Sequence, residues 1–156
     1  MAVELGYVED QTIQPGAGAI LQTIRPCRKC PQNVIHENLS PNTTLRGIVK
    51  NTCCNASAQY DVDFEGNIGI PEGGTAGQIQ MAISVNGYIR PLTIGAAYPA
   101  AAEQFWHVSG RTTVDVPAGC CSDIAIVNAS VSENPATTPA PAIVARNLNV
   151  TIERVA

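Results

Sequence analysis

A period of two constrains this chain more than any other feature. In "SAQYDVDFEG", Ala58, Tyr60, Val62 and Phe64 alternate with Gln59, Asp61, Asp63 and Glu65. Successive side chains of a strand point to opposite faces, so this spacing predicts a strand with one buried and one wet face. "QIQMAISVNG" places Ile79, Met81, Ile83 and Val85 on one face and ends in Asn86-Gly87, the pair that supplies the positive φ angles of a tight hairpin. Thr112, Val114 and Val116 form a third set, stopped at Pro117–Gly119. Ile124 with Ile126, and Leu148 with Val150 and Ile152, form two more. No stretch beyond ten residues has a helical period, although "PAAAEQFW" (99 to 106) has room for one helical turn.

Short strands separated by Gly, Pro and Asn turns predict an all-β chain, a β-sandwich or jelly roll over residues 43–156. Gly73-Gly74 and Gly77 mark one loop, and "ENPATTPAPA" (133 to 142), with three prolines, marks another at the surface. Residues 1–42 differ. Pro15, Pro26, Pro31 and Pro41 recur too closely for a long helix, and no period is sustained. The expectation here is an extended, irregular N-terminal arm.

Composition removes several functions. Hydrophobic residues make up 45 % and charged residues 14 %, which is not the balance of a disordered chain. A net charge of −4, with no run of four Lys or Arg, gives no electrostatic grip on nucleic acid. No apolar stretch approaches the ~20 residues of a membrane span. "MAVELGYVED" lacks a basic segment followed by an apolar one, so the expectation is folding in a cytosol, where structural disulfides are not the default.

Six cysteines stand in three pairs: Cys27 with Cys30, Cys53 with Cys54, and Cys120 with Cys121. Cys27-Arg28-Lys29-Cys30 has zinc-knuckle or thioredoxin-like spacing. A thioredoxin-like site needs a following helix, and Pro26 and Pro31 deny it one. A zinc site would need His36 or the doublets to complete four ligands. Cross-links or buried thiols are the preferred reading, with no metal and no cofactor required. Only one cysteine of each doublet can face a core, and six cysteines allow 15 pairings.

Catalytic sets are poor. His107 lies in "FWHVSG" and is expected to be a structural histidine. Alternation puts Ser109 on its face without an acid in reach. Asp61, Asp63 and Glu65 form a carboxylate stripe, expected to be a solvated face. "GNIGIPEGGTAG" matches no phosphate-binding pattern. Five N-x-[ST] sequons, at Asn38, Asn42, Asn55, Asn128 and Asn149, are expected by-products of an Asn- and Thr-rich β-protein.

From Leu45 onward, "FEGNIGIPEGGT", "VDVPAGCC" and "LNVTIERV" together resemble a group of small structural proteins of phages and prophages of gut Clostridia-type bacteria. The resemblance covers residues 44 to 156. More distantly the pattern resembles the trimeric jelly rolls of the tumour necrosis factor type. It implies a homotrimer and a virion-surface role, as a capsid decoration protein on the major capsid protein lattice. It also implies that the cysteines serve stability once lysis releases the particle into an oxidising medium. The alternative is a receptor- or carbohydrate-binding head of a fibre or tail, with "PEGGTAG" and "ENPATTPAPA" as its contact surface. An enzyme, such as a hydrolase, is the third class.

Attachment is expected through the arm. In "AILQTI", Ile20, Gln22 and Ile24 share one face, and Leu21 and Thr23 the other. Such a strip, with Ile20, Leu21 and Ile24 as its apolar contacts, can add to an exposed sheet edge of a neighbour. Residues 43–156 are then expected to fold alone.

Overall fold

The computed structural model describes residues 2–25, 36–39, 42–47, 57–119 and 121–156. The alternating segments form strands that stack as two antiparallel sheets, with no α-helix among the described residues. The first sheet contains β1 (Ala2–Tyr7), β2 (Gln11–Ile13), β3 (Gln22–Arg25), β6 (Ala58–Gly69), β10 (Trp106–Val116) and β12 (Ile143–Arg154). Its order is β10-β6-β12-β1-β3, with β2 on the start of β12. The second contains β4 (His36–Leu39), β5 (Asn42–Arg46), β7 (Ile79–Val85), β8 (Tyr88–Ile89), β9 (Gly95–Ala97) and β11 (Cys121–Asn128). Its order is β4-β5-β11-β7-β8, with β9 also on β7. From β3 onward the chain changes sheet after β3, β5, β6, β9, β10 and β11. The fold is the jelly-roll β-sandwich expected from the alternation.

The inward residues of both sheets meet in one core. Tyr60, Val62, Phe64 and Ile68 of β6 face Met81, Ile83, Ile124 and Ile126 of the other sheet, all at 2 % exposure or less. At ~25 cal/mol per Å² of apolar surface, this interdigitated layer is the main source of stability. Asn86 and Gly87 adopt φ of 52° and 85° and turn β7 into β8, as the sequence predicts. The segment 99–105 forms bends and turns with Glu103 at φ 64°, not the helical turn allowed for it. Among the described residues the one helical turn is of the 3-10 type at Pro91–Thr93, where Pro91 pre-sets its φ.

The expected arm is corrected by the structure. β1 lies between β12 and β3 inside the first sheet, with Leu5 opposite Val150. Val3, Leu5, Ile13, Ala19 and Leu21 belong to the core. The chain around Gly18 crosses to the second sheet, where Gly18 bridges Val127 and the Ala19 N–H bonds the Ile126 carbonyl. β4 pairs with β5. The reason is length and distance. β1 and β2 are short, and their partner β12 is more than a hundred residues away. Residues 43–156 therefore lack an inner strand of their own sheet. Leu21, expected to touch a partner, is buried at 4 %, while Ile20 and Ile24 stay about half exposed.

Candidate functional site

Three surfaces carry chemistry. The first is the free side of β7. Here β8, the 3-10 turn and β9 run in sequence along one strand. The run is interrupted at Thr93, whose hydroxyl takes the place of a backbone partner. Thr93 Oγ1 accepts from the Ile83 N–H at 2.9 Å and donates to the Arg90 carbonyl at 2.7 Å. Thr93 is buried, and Gly110 of β10 makes room for it: a Cβ there would overlap the Thr93 carbonyl and the Phe64 ring. A Cβ on Gly95 would likewise meet Val108. These two glycines let the sandwich close along this edge.

Inward anchoring of Thr93, Gly95 and Ala97 turns Leu92, Ile94, Ala96 and Tyr98 outward. Leu92 is 99 % exposed, Tyr88 80 %, Tyr98 58 % and Trp106 45 %. Tyr98 and Trp106 meet edge to face, with ring centroids 6.5 Å apart. The result is a stripe of large apolar side chains on a backbone fixed by hydrogen bonds. Alternation in the sequence does not mark it, because the large residues are on the outer face.

The second surface joins the two loops singled out from sequence. Thr75–Ile79 and Val131–Asn134, with Thr138, Pro139 and Pro141, line a common cleft of about 270 Å³. The second loop is ordered by the Ser132 hydroxyl, which donates to the Thr138 carbonyl and accepts from the Asn134 N–H. Ser130 ties its start to β7 through Gln80.

The third surface is the outer face of the first sheet. Register sets Asp61 opposite Thr113 and Glu153, Asp63 opposite Arg111 and Thr151, and Glu65 opposite Ser109 and Asn149. Arg111 binds Asp61 at 2.5 Å and approaches Asp63 at 3.5 Å. The hydrogen bond from Thr113, then that from Arg111, hold the Asp61 carboxyl below the usual carboxylate range. A groove of about 480 Å³ runs between these strands. His107 is on this face, exposed and opposite Asn67, which corrects its reading as a structural histidine. Ser109 does share its face, but an acid, Glu65, stands directly across from Ser109 rather than out of reach.

Of the cysteines, Cys121 is described. It opens β11 opposite Arg46 with its side chain outward, and Ser122 after it is buried. Cys27, Cys30, Cys53, Cys54 and Cys120 lie outside the described residues. Among the described residues no group of three or more His, Cys, Asp or Glu is placed to hold a metal ion, and no helix is long and apolar enough to cross a membrane. Asn128, one of the sequons, is 1 % exposed, so its amide is closed to modification in the folded chain.

No family model and no curated protein matches the chain. Among solved structures 33 chains match. One is the C-terminal domain of EclA, a sugar-binding protein, at 12 % identity and a TM-score of 0.40, covering 92 % of this chain and 78 % of that one.

Proposed function

We propose that this chain is a non-enzymatic structural protein of a phage particle that works as a homotrimer assembled through the edge stripe. The stripe is the observation that carries the reading. A monomer gains nothing from a fully exposed Leu92 on a hydrogen-bonded turn, or from the exposed Tyr88, Tyr98 and Trp106 along the same edge. Contiguous apolar patches of this kind mark interaction sites, and Tyr and Trp are enriched at interface centres. Most soluble oligomers are closed homo-oligomers, and a fixed edge suits repetition of one contact around an axis. The virion setting, as capsid decoration, is supported by the resemblance of residues 44 to 156. Attachment by a free N-terminal arm is not part of this reading, because β1 to β3 are built into the sandwich.

A second reading, a receptor- or carbohydrate-binding head of a fibre or tail, is favoured by the meeting of the two loops in one cleft. Copy number separates the two. Quantitative mass spectrometry of particles should give head-lattice stoichiometry for a decoration protein. A handful of copies per particle would overturn decoration in favour of the tail.

A further inference from the structure

A fourth surface is the outer face of the second sheet, and we infer that it holds a binding site for a neutral saccharide. The inference rests on the second reading above, and places the ligand on a sheet face rather than in the loop cleft. The site is a trough of about 760 Å³, within the ~300–1,000 Å³ of small-ligand clefts. Its floor follows β11 from Asp123 past Ala125 to Val127, with Ser84 of β7 directly opposite Ala125. At ~3.4 Å per residue this floor is roughly 13 Å long. One end is closed by the Asn86-Gly87 hairpin. The other is closed by the chain at 16–18, which turns at Gly16 (φ 76°) and exchanges backbone hydrogen bonds with Asn128.

The deciding group is the Ser84 hydroxyl. Outward positions of the first sheet carry charged side chains such as Asp63, Glu65 and Arg111, whereas those around Ser84 are Ala82, Ala125 and Val127. Ser84 is only 7 % exposed, and its hydroxyl has no hydrogen-bond partner among the described residues. It alternates with Ile83 and Val85 of the core, so its side chain points out of the sheet and into the trough that it lines. The hydroxyl holds no part of the fold together. It is a polar point in an apolar floor, open to a ligand.

Two further groups are held ready at the hairpin end. Asn86 Oδ1 accepts from the Asp123 N–H at 2.9 Å, which fixes the amide and leaves its Nδ2 to donate. Asp123 Oδ1 accepts from Thr44 Oγ1 at 2.7 Å, which leaves Oδ2 to accept. A donor beside an acceptor suits two neighbouring hydroxyls of one ring, and Ser84 serves a third as donor or acceptor. The C–H face of the ring then lies on Ala125 and Val127. Asp123 is the one charged residue lining the trough among the described residues, so an anion is repelled. A cation would find a single carboxylate and a floor that cannot hydrate it. An apolar ligand would strip water from Ser84, Asn86 and Asp123 and give no bond in return. A neutral ring bearing several hydroxyls satisfies floor and rim together. Among the described residues no aromatic side chain lines the trough, so there is no stacking and binding is weak.

The test is a titration of the full-length, nitrogen-15-labelled protein with free maltose, lactose, cellobiose and diacetylchitobiose, with methylammonium and acetate as charged controls. One sugar should shift the amide signals of 16–18, 84–87 and 123–127 saturably, and the controls should not. Ser84→Ala should weaken that binding about three- to tenfold with an unchanged melting temperature, since the hydroxyl bonds nothing in the free protein. Ala125→Leu should fill the trough and remove the shifts while melting stays cooperative. No saturable shift with any of these sugars would overturn the assignment, as would equal shifts with methylammonium or acetate, or undiminished binding by Ser84→Ala. Shifts confined to 71–78 and 131–141 would also overturn it, yet leave the head reading standing with the loop cleft as its site.

Discussion

The side-chain amide of Gln11 makes to Ile20 both bonds that a neighbouring strand would make. Its Oε1 accepts from the Ile20 N–H at 2.7 Å, and its Nε2 donates to the Ile20 carbonyl at 3.0 Å. Gln11 is 9 % exposed, so this pairing is part of the interior. It fixes the chain where it leaves the first sheet, touches the second at Gly18 and returns as β3. Gln11→Ala leaves two backbone groups without partners and should lower stability by about 1–3 kcal/mol in urea denaturation. Deletion of residues 1–25 removes three strands, including one between β12 and the sheet edge. It should abolish cooperative melting, whereas a truncated chain that melts as the full one does would contradict the placement of β1.

Asn128 plays a similar part deeper in the fold. Its Nδ2 donates to the carbonyls of Ile13 and Pro141, and its Oδ1 accepts from the Ser130 N–H. One side chain thus ties β2, the proline-rich loop and the end of β11. Asn128→Leu keeps the branched shape but loses all three bonds. A loss of about 3 kcal/mol or more is expected, together with greater protease sensitivity of the 131–141 loop.

The edge closure is tested at Gly110 and Thr93. Gly110→Ala drives a methyl into the Thr93 carbonyl and the Phe64 ring, both part of rigid packing, and should cost about 1–3 kcal/mol. Thr93→Val keeps the shape but strips the Ile83 N–H of its partner. It should cost about as much, and hydrogen exchange should rise first at Ile83.

Acid should weaken the fold through exposed ion pairs. The hydrogen bond from Arg146 holds the Asp10 carboxyl below its ordinary 3.8, and Thr113 and Arg111 do the same for Asp61. In the unfolded chain both carboxyls return to the ordinary value. Their contribution is therefore complete above that value and is lost as pH falls through the depressed folded values. Melting temperature should be flat near neutrality and fall below about pH 4. Asp10→Asn and Asp61→Asn should each flatten that fall, and added salt should reduce the difference.

The strands were legible where alternation ran for five residues or more with large inward side chains, as in Ala58–Phe64 and Ile79–Val85. Ala2–Tyr7 carried the same signal in Val3 and Leu5, but Pro15-Gly16 soon interrupts it, and its partner Leu148–Glu153 is at the other end of the chain. The stripe at Leu92–Tyr98 also alternates, yet with small Thr93 and Ala97 buried and the large residues outside. Period alone does not say which face is wet, so hydrophobicity gives the wrong sign there. The carboxylates of β6 were visible as a stripe. Their neighbours Ser109, Arg111, Asn149 and Thr151 come from cross-strand register, which the local sequence does not encode.

Assembly through the edge stripe is tested most directly by the mass of the protein in solution. Sedimentation equilibrium at micromolar concentration should give three chain masses for the unaltered protein. Leu92→Asp should give one chain mass with an unchanged β-type circular dichroism spectrum, since Leu92 is 99 % exposed and contributes nothing to the core. A single-chain mass for the unaltered protein, or a trimer that survives Leu92→Asp combined with Trp106→Ala, would contradict the account.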